Sequence, residues 1–289
     1  MLVIDKPGGI TSHDVVNRLR KITGEKSIGH LGTLDPMATG VLPLLLGKFT
    51  RLAQYFNSAE KSYTGTIRFG FATDTFDAQG EMVGERVEPH VSCESVRAAA
   101  LRFRGDMQQM PPPYSAKKIA GTPAYKLARA GKAVELKPAS VRIDAFDISA
   151  VDGDEAAFAM SISAGGYVRS VAHELGRDLG CGAHLSSLRR TQAGVFTLEE
   201  AHTLLELQAL AGNLDALERL CVHPRSLLPA MPSVTADPQT VGRFRNGAQA
   251  NLPEFSSAAQ VKVFASQRDL FAIATRVAGT LFQPSVVLG

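Results

Sequence analysis

The chain has 289 residues, of which 45% are hydrophobic and 20% are charged, and its formal net charge is +3. A chain of this size can bury a sizeable core, and we expect one large and one small domain. No uncharged apolar run approaches the roughly 18 to 20 residues of a membrane span. The segment from Met1 to Lys6 lacks signal-peptide organisation. We therefore expect a cytoplasmic protein without membrane association.

Cysteines and histidines form no pattern typical of metal ligands. Cys93, Cys181 and Cys221 are widely spaced, which suggests neither a disulfide framework nor a zinc site, and we interpret them as structural thiols. His173-Glu174 is not followed by the second histidine of a zinc-peptidase motif. We expect neither a bound metal nor metal catalysis.

Basic residues concentrate in the middle of the chain. Between Arg102 and Arg142, nine basic residues stand against two acidic ones, Asp106 and Glu135. Such an excess suits contacts with the phosphates of a nucleic acid. An ordinary solvated surface remains the alternative, because charged runs often have no other role.

The amino-terminal half predicts alternating strands and helices. Leu2 to Asp5 is a short strand, and Thr11-Ser12 caps a helix that Gly24 ends. Apolar residues recur every second position from Tyr63 to Phe71, which indicates a strand. Ser92 caps a helix that runs to about Phe103.

A run of prolines then interrupts regular structure, and a short helix ending near Gly131 follows. Val141 to Ile148 and Ala157 to Ser163 predict two further strands. A helix follows, with these residues on its inner face: Val168, Val171, Ala172 and Leu175. Mixed strands and helices of this kind indicate an α+β fold.

Composition changes near residue 226, where a proline-rich stretch extends from His223 to Pro232. We place the domain boundary there, giving residues 1–225 and 226–289. Strand patterns at Val261 to Ala265 and Leu270 to Ala274 make the second part a small β-barrel-like appendage.

Asp35 is the most informative single residue, because it lies in the glycine-flanked, proline-fixed segment from Gly29 to Gly40. Pro36 biases Asp35 away from helical backbone angles, and nearby glycines permit close backbone approach. Full burial without a partner would raise the pKa of the carboxyl well above its ordinary value. A reactive carboxylate here therefore needs a cation, although Asp35 could also merely order a turn.

Several short motifs occur together in one order along residues 2 to about 196. They are Lys6-Pro7, Thr11-Ser12-His13-Asp14, the segment Gly29 to Gly40, Lys61-Ser62-Tyr63, Pro112-Pro113-Tyr114-Ser115-Ala116, Gly166-Tyr167-Val168-Arg169, Gly182-Ala183-His184-Leu185 and Leu188-Arg189-Arg190-Thr191. This set resembles the bacterial tRNA pseudouridine-55 synthases, the TruB family.

The resemblance implies three catalytic residues. Asp35 matches the family's nucleophile, and Arg169 matches the arginine that pairs with it. Tyr63 matches a base-stacking tyrosine that can also take part in proton transfer from C5. The competing interpretations are a core tyrosine at a strand end and a solvent-facing arginine at a helix start.

The resemblance also implies substrate-binding residues. Tyr167 and Leu188 match positions that line the uridine pocket, His30 matches a histidine that contacts RNA when bases flip, and Thr33 belongs to the pocket or its turn. Four basic residues are expected to reach phosphates: Lys6, Lys61, Lys117 and Arg190.

The implied fold is the pseudouridine synthase fold, a mixed and largely antiparallel sheet flanked by helices, with a small PUA-like β domain at the carboxyl end. The implied reaction converts uridine 55 in the T arm of tRNA to pseudouridine. It needs no cofactor, and we expect a monomer that binds the T-arm stem-loop without an obligatory protein partner.

Two departures from the family pattern stand near the site. Leu31 occupies a position where alanine is common, and Ser163-Ala164-Gly165-Gly166-Tyr167 replaces the usual Ser-Lys-Gly-Thr-Tyr, which removes a lysine. One alternative is therefore an RNA-binding or tRNA-folding module with weak or lost catalysis. Another is a synthase of the guide-RNA-dependent branch, which would need partner proteins.

Overall fold

The computed structural model describes residues 1–115, 118–119, 122–123, 136–255 and 257–289. Lys117 and the helix predicted to end near Gly131 lie outside the described residues. Within the described part, two larger β-sheets carry most of the strands, and helices pack against them.

The strands of the described residues are β1 (Leu2–Lys6), β2 (Ile28–His30), β3 (Thr39–Leu46), β4 (Lys61–Phe69), β5 (Ala72–Thr73), β6 (Met82–Val83), β7 (Gly105–Gln109), β8 (Lys118–Ile119), β9 (Thr122–Pro123), β10 (Ala139–Asp152), β11 (Glu155–Ile162), β12 (Ala183–Ala193), β13 (Phe196–Thr197), β14 (Ser233–Thr235), β15 (Ala250–Asn251), β16 (Gln260–Phe264), β17 (Leu270–Ala278) and β18 (Leu281–Val287). The α-helices are α1 (Ser12–Thr23), α2 (Cys93–Leu101), α3 (Val168–Asp178), α4 (Leu204–Ala209), α5 (Leu214–Arg219) and α6 (Pro238–Arg245). Short 3-10 helices cover Gly47–Phe56, Leu198–Glu200, Pro224–Ser226 and Pro253–Phe255.

The first sheet has the strand order β1-β3-β12-β4-β11-β10-β7, with β2 paired to β3 and β13 paired to β12. Its strand pairs are antiparallel except for β12 with β3, where Arg189 and Arg190 lie opposite Thr39 and Gly40. This mixed, largely antiparallel sheet with flanking helices confirms the predicted α+β fold class.

Local capping explains where the first helix begins and ends. The Thr11 side chain accepts a hydrogen bond from the Asp14 backbone N–H, and the Asp14 carboxylate accepts one from the Thr11 backbone N–H. Gly24 ends α1 in the left-handed conformation with φ of 73°. The apolar face of α1 is buried in the main core, as predicted, with the side chains of Val15, Val16, Leu19 and Ile22.

Several predicted element ends differ from the structure. Strand β4 begins at Lys61 and stops at Phe69, because Gly70 turns the chain with φ of 105°. Helix α2 starts after Ser92 as predicted and ends at Leu101 rather than near Phe103. In both cases the apolar pattern continues for about two residues beyond the hydrogen-bonded ladder.

Strands β3 and β12 are neighbours in the first sheet, and their close approach at Gly40 fixes the backbone near Asp35. Gly40 has φ of 99°, and a Cβ built on it would lie 2.2 Å from the backbone oxygen of Arg190. Only glycine permits this approach between the two strands. The loop that carries Asp35 therefore leads into a tightly fixed strand start.

The second sheet has the order β14-β16-β17-β18-β15 and packs against the first through a shared apolar cluster. Val3, Val41 and Phe196 from the first part meet Phe264 and Ile273 from the second. In the described part of the chain, no helix is both long and apolar enough to cross a membrane.

Candidate active site

A cavity of about 330 Å³ opens at the edge of three segments: the loop after β2, the start of β4 and the start of α3. Its volume lies at the lower end of the range for small-ligand sites, about 300 to 1,000 Å³. The cavity brings together most of the residues predicted from the sequence: His30, Thr33, Asp35, Lys61, Tyr63, Tyr167, Arg169 and Leu188.

The Asp35 loop is held by hydrogen bonds on both sides of the aspartate. The Ser12 hydroxyl accepts from the Leu34 backbone N–H at 2.8 Å and donates to the Leu34 carbonyl at 3.0 Å. The Gly9 N–H donates to the Pro36 carbonyl at 2.8 Å. These contacts fix the backbone around Asp35 while its side chain, about a third exposed, faces the cavity.

Arg169 pairs with Asp35 at the floor of the cavity. Its Nη2 donates to Asp35 Oδ1 at 3.1 Å, and its Nε lies 2.8 Å from Oδ2. This second contact is an ion pair outside hydrogen-bonding angles, since Nε makes no hydrogen bond within the described part of the chain. Arg169 is the second residue of α3 and its side chain is only 5% exposed. The geometry therefore supplies the cation that the sequence argument required.

The remaining donors of Arg169 are anchored by other segments. Nη1 donates to the Thr75 carbonyl at 2.8 Å and Nη2 to the Tyr114 carbonyl at 2.9 Å. Nη1 also lies 3.5 Å from Oδ2 of Asp77, which is itself buried. The guanidinium thus bridges two carboxylates and two carbonyls, an arrangement that suits the planar fork of arginine.

Sequence reasoning missed Asp77. It lies in the loop between β5 and β6, where no apolar period singles it out, and it contacts Arg169 only through the tertiary fold. The one available signal is that Asp77 is a second acidic residue within the short segment Asp74-Thr75-Phe76-Asp77.

Opposing influences set the protonation of Asp35. Burial raises the pKa of Asp35, whereas the Arg169 charge lowers it, and the Asp77 carboxylate raises it again. The net direction is upward from the ordinary value. Arg169 therefore limits the cost of burying the carboxylate but does not cancel it.

Two tyrosines and a leucine line the walls of the cavity. Tyr63 is buried on β4, and burial raises the pKa of its phenol while Arg190 opposes the rise. Tyr167 is fixed through its backbone: its N–H donates to Gln109 Oε1 at 2.7 Å, and its carbonyl accepts from Gln109 Nε2 at 3.0 Å. Tyr63, Tyr167 and Leu188 thus line the same cavity as the Asp35 carboxylate.

Lys6 and Arg190 do not face solvent, which corrects the prediction that they reach phosphates. Both side chains are fully buried. Lys6 Nζ donates to the carbonyls of Pro7, Ile10 and Pro36, and burial lowers the pKa of Lys6 to about 8. Arg190 donates to the carbonyls of Val41, Thr33 and Gly32. Both side chains therefore stabilise the Asp35 loop by donating to its backbone carbonyls: Lys6 to that of Pro36, and Arg190 to those of Gly32 and Thr33.

His30, Thr33 and Lys61 do line the cavity. Burial lowers the pKa of His30, and its buried Nδ1 has no hydrogen-bond partner among the described residues. Lys61 Nζ donates to the Ala59 carbonyl at 2.9 Å, and the side chain is half-buried. In the described ranges, no three side chains of His, Cys, Asp or Glu cluster closely enough to hold a metal ion.

The chain matches two known families over consecutive segments. The family described as TruB family pseudouridylate synthase (N terminal domain) matches residues 20–168. The family described as tRNA pseudouridylate synthase B C-terminal domain matches residues 169–226. Together these matches cover the residues that line the cavity and all strands of the first sheet except β1.

Curated relatives and solved structures agree with that match. A protein named tRNA pseudouridine synthase B from Solibacter usitatus is 45% identical over 291 residues, covering 100% of this chain and 99% of the relative. The protein of that name from Aquifex aeolicus is 38% identical, covering 91% of each chain. A crystal structure of a Cbf5-Nop10-Gar1 complex matches with a TM-score of 0.73 and 25% identity, covering 100% of this chain and 84% of the other.

Proposed function

Since the chain belongs to the TruB family of pseudouridylate synthases, we propose that it isomerises uridine to pseudouridine at position 55 in the T arm of tRNA. The observation that carries this proposal is the Asp35–Arg169 pair at the floor of a cavity walled by Tyr63, Tyr167 and Leu188. The charged pair supplies a reactive carboxylate, and the walls supply a space of suitable shape for a pyrimidine.

We assign the role of nucleophile to Asp35. The reaction breaks the bond from N1 to C1′ and joins C5 to C1′, after which C5 loses its proton and N1 gains one. A carboxylate can assist by attacking either the sugar at C1′ or the base at C6. Arg169 favours the ionised form that either attack requires, and the partly exposed carboxylate has access to the cavity.

The target base must leave its stack to reach Asp35, because the carboxylate lies inside the cavity and not on the outer surface of the protein. Unstacking costs a few kcal/mol, and stacking on an aromatic ring returns about 1 to 3 kcal/mol per base. Tyr63 is the proposed platform and can also accept or relay the C5 proton. Tyr167 and Leu188 would then close the other sides of the base.

The RNA backbone is proposed to approach over the rim of the cavity, where Lys61, His30 and Thr33 lie. Of the two predicted lysines that the structure describes, Lys6 and Lys61, only Lys61 lines the cavity. We further propose that residues 1–225 form the catalytic domain and that residues 226–289 are a PUA-like appendage that contacts RNA. A monomeric, cytoplasmic enzyme that needs no obligatory protein partner completes the proposal.

The test is a turnover experiment with the purified full-length chain and an unmodified tRNA transcript that carries tritium at C5 of its uridines. We expect tritium release and pseudouridine at position 55 with the wild type and no product with Asp35→Asn. Product elsewhere would overturn the site assignment, and an active Asp35→Asn variant would overturn the nucleophile. Binding of tRNA without any turnover would instead support the RNA-binding alternative.

A further inference from the structure

Phe76 adopts a backbone conformation that is unusual for a bulky residue. Its φ is +64°, and the described chain has only one other non-glycine residue with positive φ, Leu228. The turn is tied to strand β12, because the Leu185 N–H donates to the Phe76 carbonyl at 3.0 Å and the Ala78 N–H donates to the Leu185 carbonyl at 2.9 Å. A strained conformation at such a place requires surrounding contacts that maintain it.

The residues on either side of Phe76 both contact Arg169. The Thr75 carbonyl accepts from Nη1 at 2.8 Å, and the Asp77 carboxylate lies 3.5 Å from the same nitrogen. Asp77 is in turn oriented by the Thr75 hydroxyl at 2.7 Å and the Gln79 N–H at 3.0 Å. The left-handed turn at Phe76 thus brings two acceptors onto one donor of the arginine. Nε and Nη2 remain directed at Asp35.

The Phe76 ring is stacked on His173, with ring centroids 3.8 Å apart and planes inclined by 15°. His173 follows Arg169 by four residues in α3, so the two side chains project from the same face of the helix. His173 Nδ1 is buried and makes no hydrogen bond to any residue that the structure describes. Among those residues, the observed contact of the ring is therefore its stacked plane.

We propose that His173 and Phe76 are positioning residues for the reaction. Helix α3 grips the segment 75–77 at two points one turn apart: Arg169 binds its carbonyl and carboxylate, and His173 covers its central ring. The stack maintains the turn, the turn fixes Nη1, and the fixed guanidinium presents its other nitrogens to Asp35. This inference rests on the proposed function, because its readout is the isomerisation rate.

The test compares His173→Leu, which removes the aromatic plane, with His173→Phe, which restores it without any titratable nitrogen. The control is Glu174→Gln. Glu174 lines a second cavity together with Phe76 and His173, but it takes no part in the stack. With the tritiated tRNA transcript we expect kcat of His173→Leu to fall roughly 10- to 100-fold, as for small misplacements of catalytic groups. KM should stay near the wild-type value, and His173→Phe and Glu174→Gln should keep wild-type rates.

Phe76→Leu removes the ring from the other side of the stack while keeping an apolar side chain at the strained φ, and its melting temperature, compared with that of wild type, separates a lost stack from a simple folding defect. We expect Phe76→Leu to lower kcat as much as His173→Leu does, and the double variant to lose nothing more, since both changes remove one stack. Equal rates for His173→Leu and wild type, failure of His173→Phe to rescue, or additive losses would each overturn the inference. An inactive wild type would instead overturn the proposed function.

Discussion

Replacing Arg169 by lysine keeps the positive charge but removes the planar fork that meets four acceptors. An ammonium group cannot reach Asp35 and also replace the donors to the Thr75 and Tyr114 carbonyls. Each carbonyl left unpaired costs about 1 to 3 kcal/mol. We therefore expect Arg169→Lys to lower the free energy of unfolding by about 2 to 6 kcal/mol in urea titrations.

The same change alters the pH dependence of turnover. Arg169 lowers the pKa of Asp35, in opposition to burial, so a poorer partner lets that pKa rise further. Only ionised Asp35 is proposed to react, and the acid limb of the rate profile should therefore move to higher pH in Arg169→Lys. Single-turnover rates measured between about pH 4 and pH 8 with a folded variant would record this shift.

Asp77→Asn is the matched control, because its expected shift has the opposite sign. The Asp77 carboxylate raises the pKa of Asp35, so neutralising it should move the acid limb to lower pH. An acid limb that stays in place in Arg169→Lys, or that moves in the same direction in both variants, would refute this account of the site.

Three further predictions concern stability and RNA binding. Folding raises the pKa of Asp35, so stability is lost as the pH rises from the unfolded pKa of this carboxyl through its folded pKa. Asp35→Asn should therefore melt at a higher temperature than wild type at pH 7 by calorimetry, not a lower one. Lys61→Met should reduce the slope of log affinity for tRNA against log salt by about 0.7 to 0.9, whereas the fully buried Lys6→Met should leave that slope unchanged and lower the melting temperature. Gly40→Ala should destabilise by at least about 1 to 2 kcal/mol from its positive φ alone, and more because its Cβ would collide with the Arg190 backbone oxygen. Wild-type stability in chemical denaturation would contradict that close approach.

Interactions between near neighbours were predictable from the sequence. Helix α1 begins after Thr11 and ends before Gly24, as expected, because a capping box and a left-handed glycine act within a few residues. The need of Asp35 for a cationic partner was also evident, because burial of a lone carboxylate in this glycine-flanked, proline-fixed segment is costly. The ordered motifs then named that partner as Arg169, and the structure places the two groups in contact.

Strands β3 and β12 were not predicted, for a physical reason. A central strand is buried on both faces, so Thr39–Leu46 reads as a continuous apolar run without the period of two that marks a half-exposed strand. The parallel pairing of these strands joins residues about 150 positions apart, and no local signal encodes such a contact.

The sequence determined which local elements form and which acid requires a cation, because helix caps, turn residues and the charge of a buried group act at short range. Only the tertiary structure decided which basic side chains stabilise the Asp35 loop and which line the cavity. Lys6 and Arg190 have the positive charge typical of phosphate ligands, yet the packing of β1 and β12 buries them against the Asp35 loop. Asp77 and His173 gain their contacts because a loop and a helix distant in sequence meet across the sheet.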